Sequence, residues 1–275
     1  MISVGITPFA NDIYAFNGLY RQKIDSKLNY EFEFLDIEQL NARSLKGLGD
    51  VLKVSFSAFA HVLDDYTLLP IGSCLGTGNG PKIVTKKGMN LAALTKLRLA
   101  IPGTQTTAYM LYKSLCPQAK EELCFPYHLL LDKLEHGECD AALLIHESRF
   151  QIEEKGLHEL ADLFELWDQK TQAPLPLGGI IAKRSLGKDT LASITNDLYK
   201  SLIYSRSHPK DAVNAVLEHS IQKDPELAKK NIDLYVTEDT FQLSETGTHA
   251  IQSLLNLGSQ AGLLPPPKDH WLFRT

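Results

Sequence analysis

Short apolar runs of strand length alternate with stretches of helical periodicity over the first two thirds of the chain. Residues 2–7, 30–34, 51–56, 68–71, 83–85, 97–101, 123–125 and 141–145 read as strands. Residues 13–22, 36–48, 58–64, 106–115 and 129–136 read as helices, several opened by Asn, Asp, Ser or Thr. Residues 157–167 read as a short strand or turn entering a helix, and 174–183 as a return strand entered through a rigid Pro-Leu-Pro turn. From about Lys188 onward the pattern is helical, with helices over 190–205, 211–219, 225–235 and 244–261. The order β-α-β-α, a second β-α-β region and then a helical tail predicts an α/β architecture with mainly parallel sheets.

The most informative stretch is Asp140 to Phe150, D-A-A-L-L-I-H-E-S-R-F. Its apolar run suits a strand buried on both faces, and it ends abruptly in His146, Glu147, Ser148 and Arg149. Ligands of open α/β sheets bind just beyond the carboxyl ends of such strands. Three other strand ends also carry polar groups: Thr7 with Asn11 and Asp12, Lys53 with Ser55 and Ser57, and Thr104 with Thr106 and Thr107. A cleft ringed by hydroxyls, helix N-termini and one Lys suits an anionic small molecule, most naturally a carboxylate. An imidazole there suits proton transfer near neutral pH. Each feature also has a plainer explanation. Thr106 and Thr107 can be simple caps, Asn11 and Asp12 likewise, and Glu147 and Arg149 can pair with neighbours. The other eight histidines lie on predicted helices, loops or tails, where solvated or structural roles are usual. G-T-G-N-G at Gly76 to Gly80 leads into a strand instead of a helix, so it reads as a glycine-rich connection that approaches another backbone or a ligand closely and can line a cleft, and not as a dinucleotide fingerprint.

Composition narrows the function classes. The 275 residues suffice for one large domain or two lobes. A net charge of −5 without a basic cluster argues against nucleic-acid binding. No apolar run reaches membrane-spanning length. The first residues read directly as a strand, without the pattern of a secretory signal, which gives an expectation of a cytoplasmic protein. Cys74, Cys116, Cys124 and Cys139 form no C-x-x-C pair and no zinc-type spacing, so no metal site is expected.

Taken together, T-P-F-A-N-D, K-V-S-F-S-A-F-A, L-G-T-G-N-G-P, I-P-G-T-Q-T-T-A-Y, L-I-H-E-S-R-F and P-L-P-L-G-G-I, in this order along most of the chain, resemble the 1,4-dihydroxy-6-naphthoate synthase family of the futalosine route to menaquinone. The resemblance implies a two-lobed type II periplasmic-binding-protein-like fold with a ligand cleft between the lobes. The crossings are expected near Leu97 and Ile181, giving one lobe from 1–96 and 182–275 and another from 97–181. It implies cleavage of cyclic dehypoxanthinyl futalosine to 1,4-dihydroxy-6-naphthoate and a sugar-derived fragment, by a carbon–carbon lyase without cofactor or metal. By the same resemblance, His146 is the proton acceptor. Lys53, Val54 and Ser55 form one substrate-binding segment and Thr106 with Thr107 another, with Lys53 adding charge. Asn11 and Asp12 are candidates for hydroxyl contacts. The first loop departs from the family's usual S-P-C-P-N-D in having Phe9 and Ala10, which leaves that loop's role open. Two alternatives share the design: chorismate dehydratase, the sister enzyme, whose pattern lacks a His at the matching strand end, and a carboxylate solute-binding protein. Oligomeric state, including a homodimer, is left open.

Overall fold

The computed structural model describes residues 1–78, 80–219 and 223–274, with the backbone alone at 147, 149 and 150. The strands are β1 (Ile2–Ile6), β2 (Tyr30–Phe34), β3 (Val51–Ser55), β4 (Tyr66–Leu68), β5 (Cys74–Gly76), β6 (Lys82–Thr85), β7 (Arg98–Ile101), β8 (Glu121–Cys124), β9 (Ala141–Leu144), β10 (His158–Asp162) and β11 (Leu175–Lys183). The helices are α1 (Ala10–Tyr20), α2 (Ile37–Leu45), α3 (Phe56–Phe59), α4 (Thr107–Leu115), α5 (Leu130–Glu135), α6 (Leu163–Thr171), α7 (Lys188–Ser207), α8 (Pro209–His219), α9 (Pro225–Tyr235), α10 (Glu238–Phe241) and α11 (Glu245–Gln260).

They build two sheets, each the centre of one lobe. The first runs β2-β1-β3-β11-β4, with β5 also paired to β11; the second runs β10-β6-β9-β7-β8. β1 pairs in parallel with β2 and β3, and β7 with β8 and β9. β11 and β6 run antiparallel to their neighbours, so both sheets are mixed and not mainly parallel. These two strands relocate the crossings. The chain leaves the first sheet after Gly76 and enters the second at Lys82, earlier than the crossing expected near Leu97. It leaves the second sheet after Asp162 and rejoins the first at Leu175, ahead of Ile181. Residues 82–85 therefore belong with the second sheet, and 175–181 with the first.

One glycine of the first crossing has a packing reason. A Cβ at Gly80 would lie 2.7 Å from both the Cβ and the backbone nitrogen of Phe164, so only glycine lets this segment pass the start of α6.

Strand alternation sorts the core. Leu52 and Val54 of β3 join the larger apolar cluster, which continues through Ile83, Leu99 and Leu143 of the second lobe. Val51 faces the other way, into a cluster with Ile6, Ile13, Phe16, Leu198 and Leu202. There α1 packs on α7, α8 and α9. No helix among the described residues is long and apolar enough to cross a membrane.

Candidate active site

The carboxyl ends of β1, β3, β7 and β9 converge on one cavity. Its lining includes Thr7, Asn11, Asp12, Lys53, Ser55, Thr106, Thr107 and His146, together with an apolar wall of Phe9, Ile37, Ile145 and Leu177. Gly178 of β11 lies against it too, and a Cβ there would meet the Val54 carbonyl oxygen at 2.6 Å.

His146 stands where β9 ends and a 3₁₀ turn begins. Its φ is +55°, in the left-handed region that side-chain-bearing residues seldom occupy. Such strain persists only where the surroundings impose it, and it concentrates at functional sites. The surroundings here are aromatic. The imidazole stacks on Phe9, with ring centroids 3.5 Å apart and planes at 26°, and meets Tyr127 edge-on at 5.6 Å. Phe9 and Tyr127 also touch each other, at 4.9 Å. The turn behind the histidine is tied down by Ser148, whose hydroxyl donates to the Ile145 carbonyl (2.6 Å).

On the first lobe, the side chains of Lys53 and Ser55 point to the same side of β3. Lys53 Nζ lies 2.8 Å from Asp12 Oδ1, and both side chains are almost wholly buried. Thr7 Oγ1 and Asn11 Nδ2 donate to the same carboxylate, at 2.5 and 2.6 Å. Lys53 is therefore a neutralised cation, not an added charge. On the second lobe, Thr106 caps α4: its Oγ1 accepts from the Tyr109 N–H (3.1 Å) and donates to the Gly103 carbonyl (2.9 Å). Thr107 Oγ1 donates to the Leu177 carbonyl of β11 (2.7 Å) and accepts from the Ser57 N–H (3.4 Å). The N–H groups of Thr107 and Ala108 begin the helix, where geometry leaves them without intrahelical acceptors. A carboxylate at this end of the cavity meets those donors and the positive end of the helix dipole.

A family model for menaquinone biosynthesis matches residues 2–260. The chain belongs to this family. It is 35% identical over 269 residues to a 1,4-dihydroxy-6-naphthoate synthase of Streptomyces coelicolor, covering 96% of this chain and 95% of that one. It is 34% identical over 265 residues to the enzyme of the same name from Thermus thermophilus, covering 96% of each. Among solved structures, one of a protein from Archaeoglobus fulgidus matches with a TM-score of 0.91 and 30% identity, covering 96% of this chain and 98% of that one. The ligand-binding component of an ABC-type import system from Staphylococcus aureus matches with a TM-score of 0.72 at 15% identity, covering 99% and 96%. That last likeness speaks to the fold alone, and the fold is the two-lobed one of periplasmic binding proteins.

Within this menaquinone-biosynthesis fold, seven of the eight residues singled out in the sequence line one cavity: His146, Lys53, Ser55, Thr106, Thr107, Asn11 and Asp12. Val54 does not. It is fully buried on the opposite face of β3, in the core, because adjacent strand residues point to opposite sides. Asn11 and Asp12 are not caps either: α1 starts at Ala10 with Phe9 at its N-cap position, which places both residues in the first turn. The side chains of Glu147 and Arg149, and Asn79 of the glycine-rich connection, lie outside the described residues. Sequence reasoning missed Tyr235, Leu177 and the stacking role of Phe9. Phe9 had a signal, since it departs from the family's usual loop; Tyr235 had none, being one more aromatic at the end of a helix.

Proposed function

We propose that this chain is a 1,4-dihydroxy-6-naphthoate synthase that cleaves cyclic dehypoxanthinyl futalosine in the cytoplasm, with His146 as the base and without a cofactor. The observation that carries the reading is His146 itself. An imidazole is held in a strained backbone conformation at a strand end, stacked on one aromatic ring and edge-on to a second, on the wall of a cavity that also carries a helix N-terminus.

The two ends of the cavity divide the work. The N–H groups of Thr107 and Ala108 hold the substrate carboxylate, with Thr106 fixing the first turn of the helix. The apolar wall of Phe9, Ile37, Ile145 and Leu177 accepts the carbocyclic part. Ser55 and Asn11 offer hydrogen bonds to sugar hydroxyls. His146 removes a proton, and the electrons released break the bond to the sugar-derived fragment as the ring system becomes aromatic. The Lys53–Asp12 pair keeps the floor of the cavity neutral and fixed, so the helix end and not a lone cation draws the anion.

Single-turnover conversion of cyclic dehypoxanthinyl futalosine by the wild type and by His146→Ala tests this. Loss of a general base costs about 10²–10⁴-fold in rate. The expected result is product from the wild type, with a variant that binds substrate but turns over in that reduced range. Full activity in His146→Ala removes the histidine from the mechanism. Failure of the wild type to convert this substrate, with tight binding of chorismate or another carboxylate, removes the synthase reading.

A further inference from the structure

Helix α2 lies beside the cavity and sends two side chains from successive turns, Glu38 and Asn41, into the seam between the lobes. Asn41 is fully buried. Its Oδ1 accepts from the Ser55 N–H (2.9 Å), and its Nδ2 lies within donating distance of Ser55 Oγ (3.1 Å), Glu38 Oε2 (3.3 Å) and the Gln105 carbonyl (3.3 Å). Glu38 Oε1 accepts from the Gln105 N–H (3.1 Å), and the Thr104 N–H adds a further hydrogen bond to the same carboxyl. Gly103 makes this approach possible. A Cβ there would lie 2.3 Å from Glu38 Cδ, and its φ of +143° suits glycine.

These contacts join the two segments that the proposed function assigns to substrate. Ser55 ends β3 in the first lobe, and Gln105 directly precedes Thr106 and Thr107 in the second. One carboxamide touches both. We propose that Glu38 and Asn41 are positioning residues that clasp the 103–105 turn to Ser55 and so set the separation of the two substrate-binding segments. This deepens the proposed function and rests on its assignment of Ser55 and the α4 N-terminus to substrate. Neither residue needs to touch substrate. Their action is geometric, and displacement of a binding segment by about 1 Å can cost on the order of a hundredfold in rate.

The pair is a carboxylate facing an amide, so it can be exchanged. Asn41→Asp keeps the acceptor for the Ser55 N–H but sets a second carboxylate against Glu38 and against the Gln105 carbonyl. The double variant Glu38→Gln/Asn41→Asp restores one amide facing one carboxylate: the new amide at 38 still accepts from the Gln105 N–H and donates to the new carboxylate at 41. We expect Asn41→Asp to lower kcat/KM roughly ten- to a hundredfold, the range for hydrogen bonds to a charged group. The double variant relieves the repulsion at position 38 but not that at the Gln105 carbonyl, so it should recover part of that loss. Amide hydrogen exchange reads the clasp independently of activity. The Gln105 amide should be protected in the wild type, lose protection in Asn41→Asp while Ser55 keeps it, and regain it in the double variant.

The proposal is overturned if the wild-type Gln105 amide exchanges like an unbonded surface amide, if Asn41→Asp leaves kcat and KM unchanged, or if the double variant is no better than the single one. Should Asn41→Asp alone not fold, the double variant still decides, because the clasp requires it to fold with Gln105 protected. If the wild type fails to convert the futalosine substrate, the proposed function falls, and the exchange pattern still decides whether the clasp exists.

Discussion

Lys53 sits in the middle of a buried strand, and its replacement by Met probes why it is there. Met fills a similar volume and makes no charge. The substitution leaves the Asp12 carboxylate, at 2% exposure, without the ammonium that stands 2.8 Å away. Removing one member of a buried ion pair costs about 3–5 kcal/mol, because the other charge stays behind unpaired. Asp12 keeps its bonds from Thr7 and Asn11, which favours the lower part of that range. At roughly 2–4 °C per kcal/mol for a domain of comparable size, Lys53→Met should melt about 6–16 °C below the wild type. Removing both charges in Asp12→Leu/Lys53→Met should recover most of the loss, since apolar residues of similar volume often replace such a pair at little cost. Thermal and urea unfolding followed by circular dichroism at neutral pH measure both. A single variant within about 1 kcal/mol of the wild type, or a double variant as unstable as the single one, would refute the reasoning.

Other perturbations test other parts of the site. Phe9→Leu removes the ring stacked on His146 while keeping an apolar side chain, so the single-turnover rate should fall about two- to tenfold, the worth of an aromatic pair, with Phe9→Tyr close to wild type. Equal rates in all three proteins would show that the stack does not orient the base. Gly178→Ala places a Cβ 2.6 Å from the Val54 carbonyl; it should destabilise the fold by about 1–3 kcal/mol and raise KM, both measurable in one preparation. The Asp140 carboxyl is held below its ordinary value, chiefly by hydrogen bonding to the Arg98 guanidinium. A depressed carboxyl contributes stability that is present above its unfolded value, about 3.9, and is lost as pH falls through the folded one. Asp140→Asn should therefore be less stable than the wild type at neutral pH, with the gap closing as the medium is acidified below about pH 4; a gap that stays constant across that range would contradict the assignment.

How much of this was legible in the chain depends on how local the signal is. The run Ala141 to Ile145 followed by His146 is one-dimensional: an apolar strand and the polar residue at its end can be read without knowing any neighbour. The same holds for Thr106 capping α4 and for Pro225 opening α9, where the helix bounds match the expectation. Sheet membership is not local. Residues 82–85 read as a strand in any context, and only their pairing with β9 and β10 assigns them to the second lobe. That is why both crossings were expected too late in the chain. Within β3, the resemblance carried three consecutive residues into the site, while the twofold alternation of a strand turns only the Lys53 and Ser55 side chains toward it.

The charge state of the cavity shows the same limit with a larger consequence. From sequence, Lys53 is one cation near several hydroxyls, and an anion-binding role follows naturally. In the fold its charge is cancelled by a residue 41 positions earlier, because α1 begins at Ala10 and turns Asp12 toward β3. What remains for an anion is the start of α4, a source of partial charge that is fixed in direction and cannot swing toward solvent as a lysine can. That end of the cavity belongs to the second lobe, whereas Ser55 and the Lys53–Asp12 pair belong to the first. On the proposed function, the second lobe would hold the carboxylate and present His146 while the first offers Ser55 and Asn11, so a productive geometry would exist only while the lobes keep their separation. The contacts of Thr107 with Leu177, of Phe9 with His146 and of Glu38 with Gln105 all span that seam. If the proposed function holds, one group of contacts sets base orientation and anion binding together, so loosening the seam should lower turnover even where every residue that touches substrate is intact.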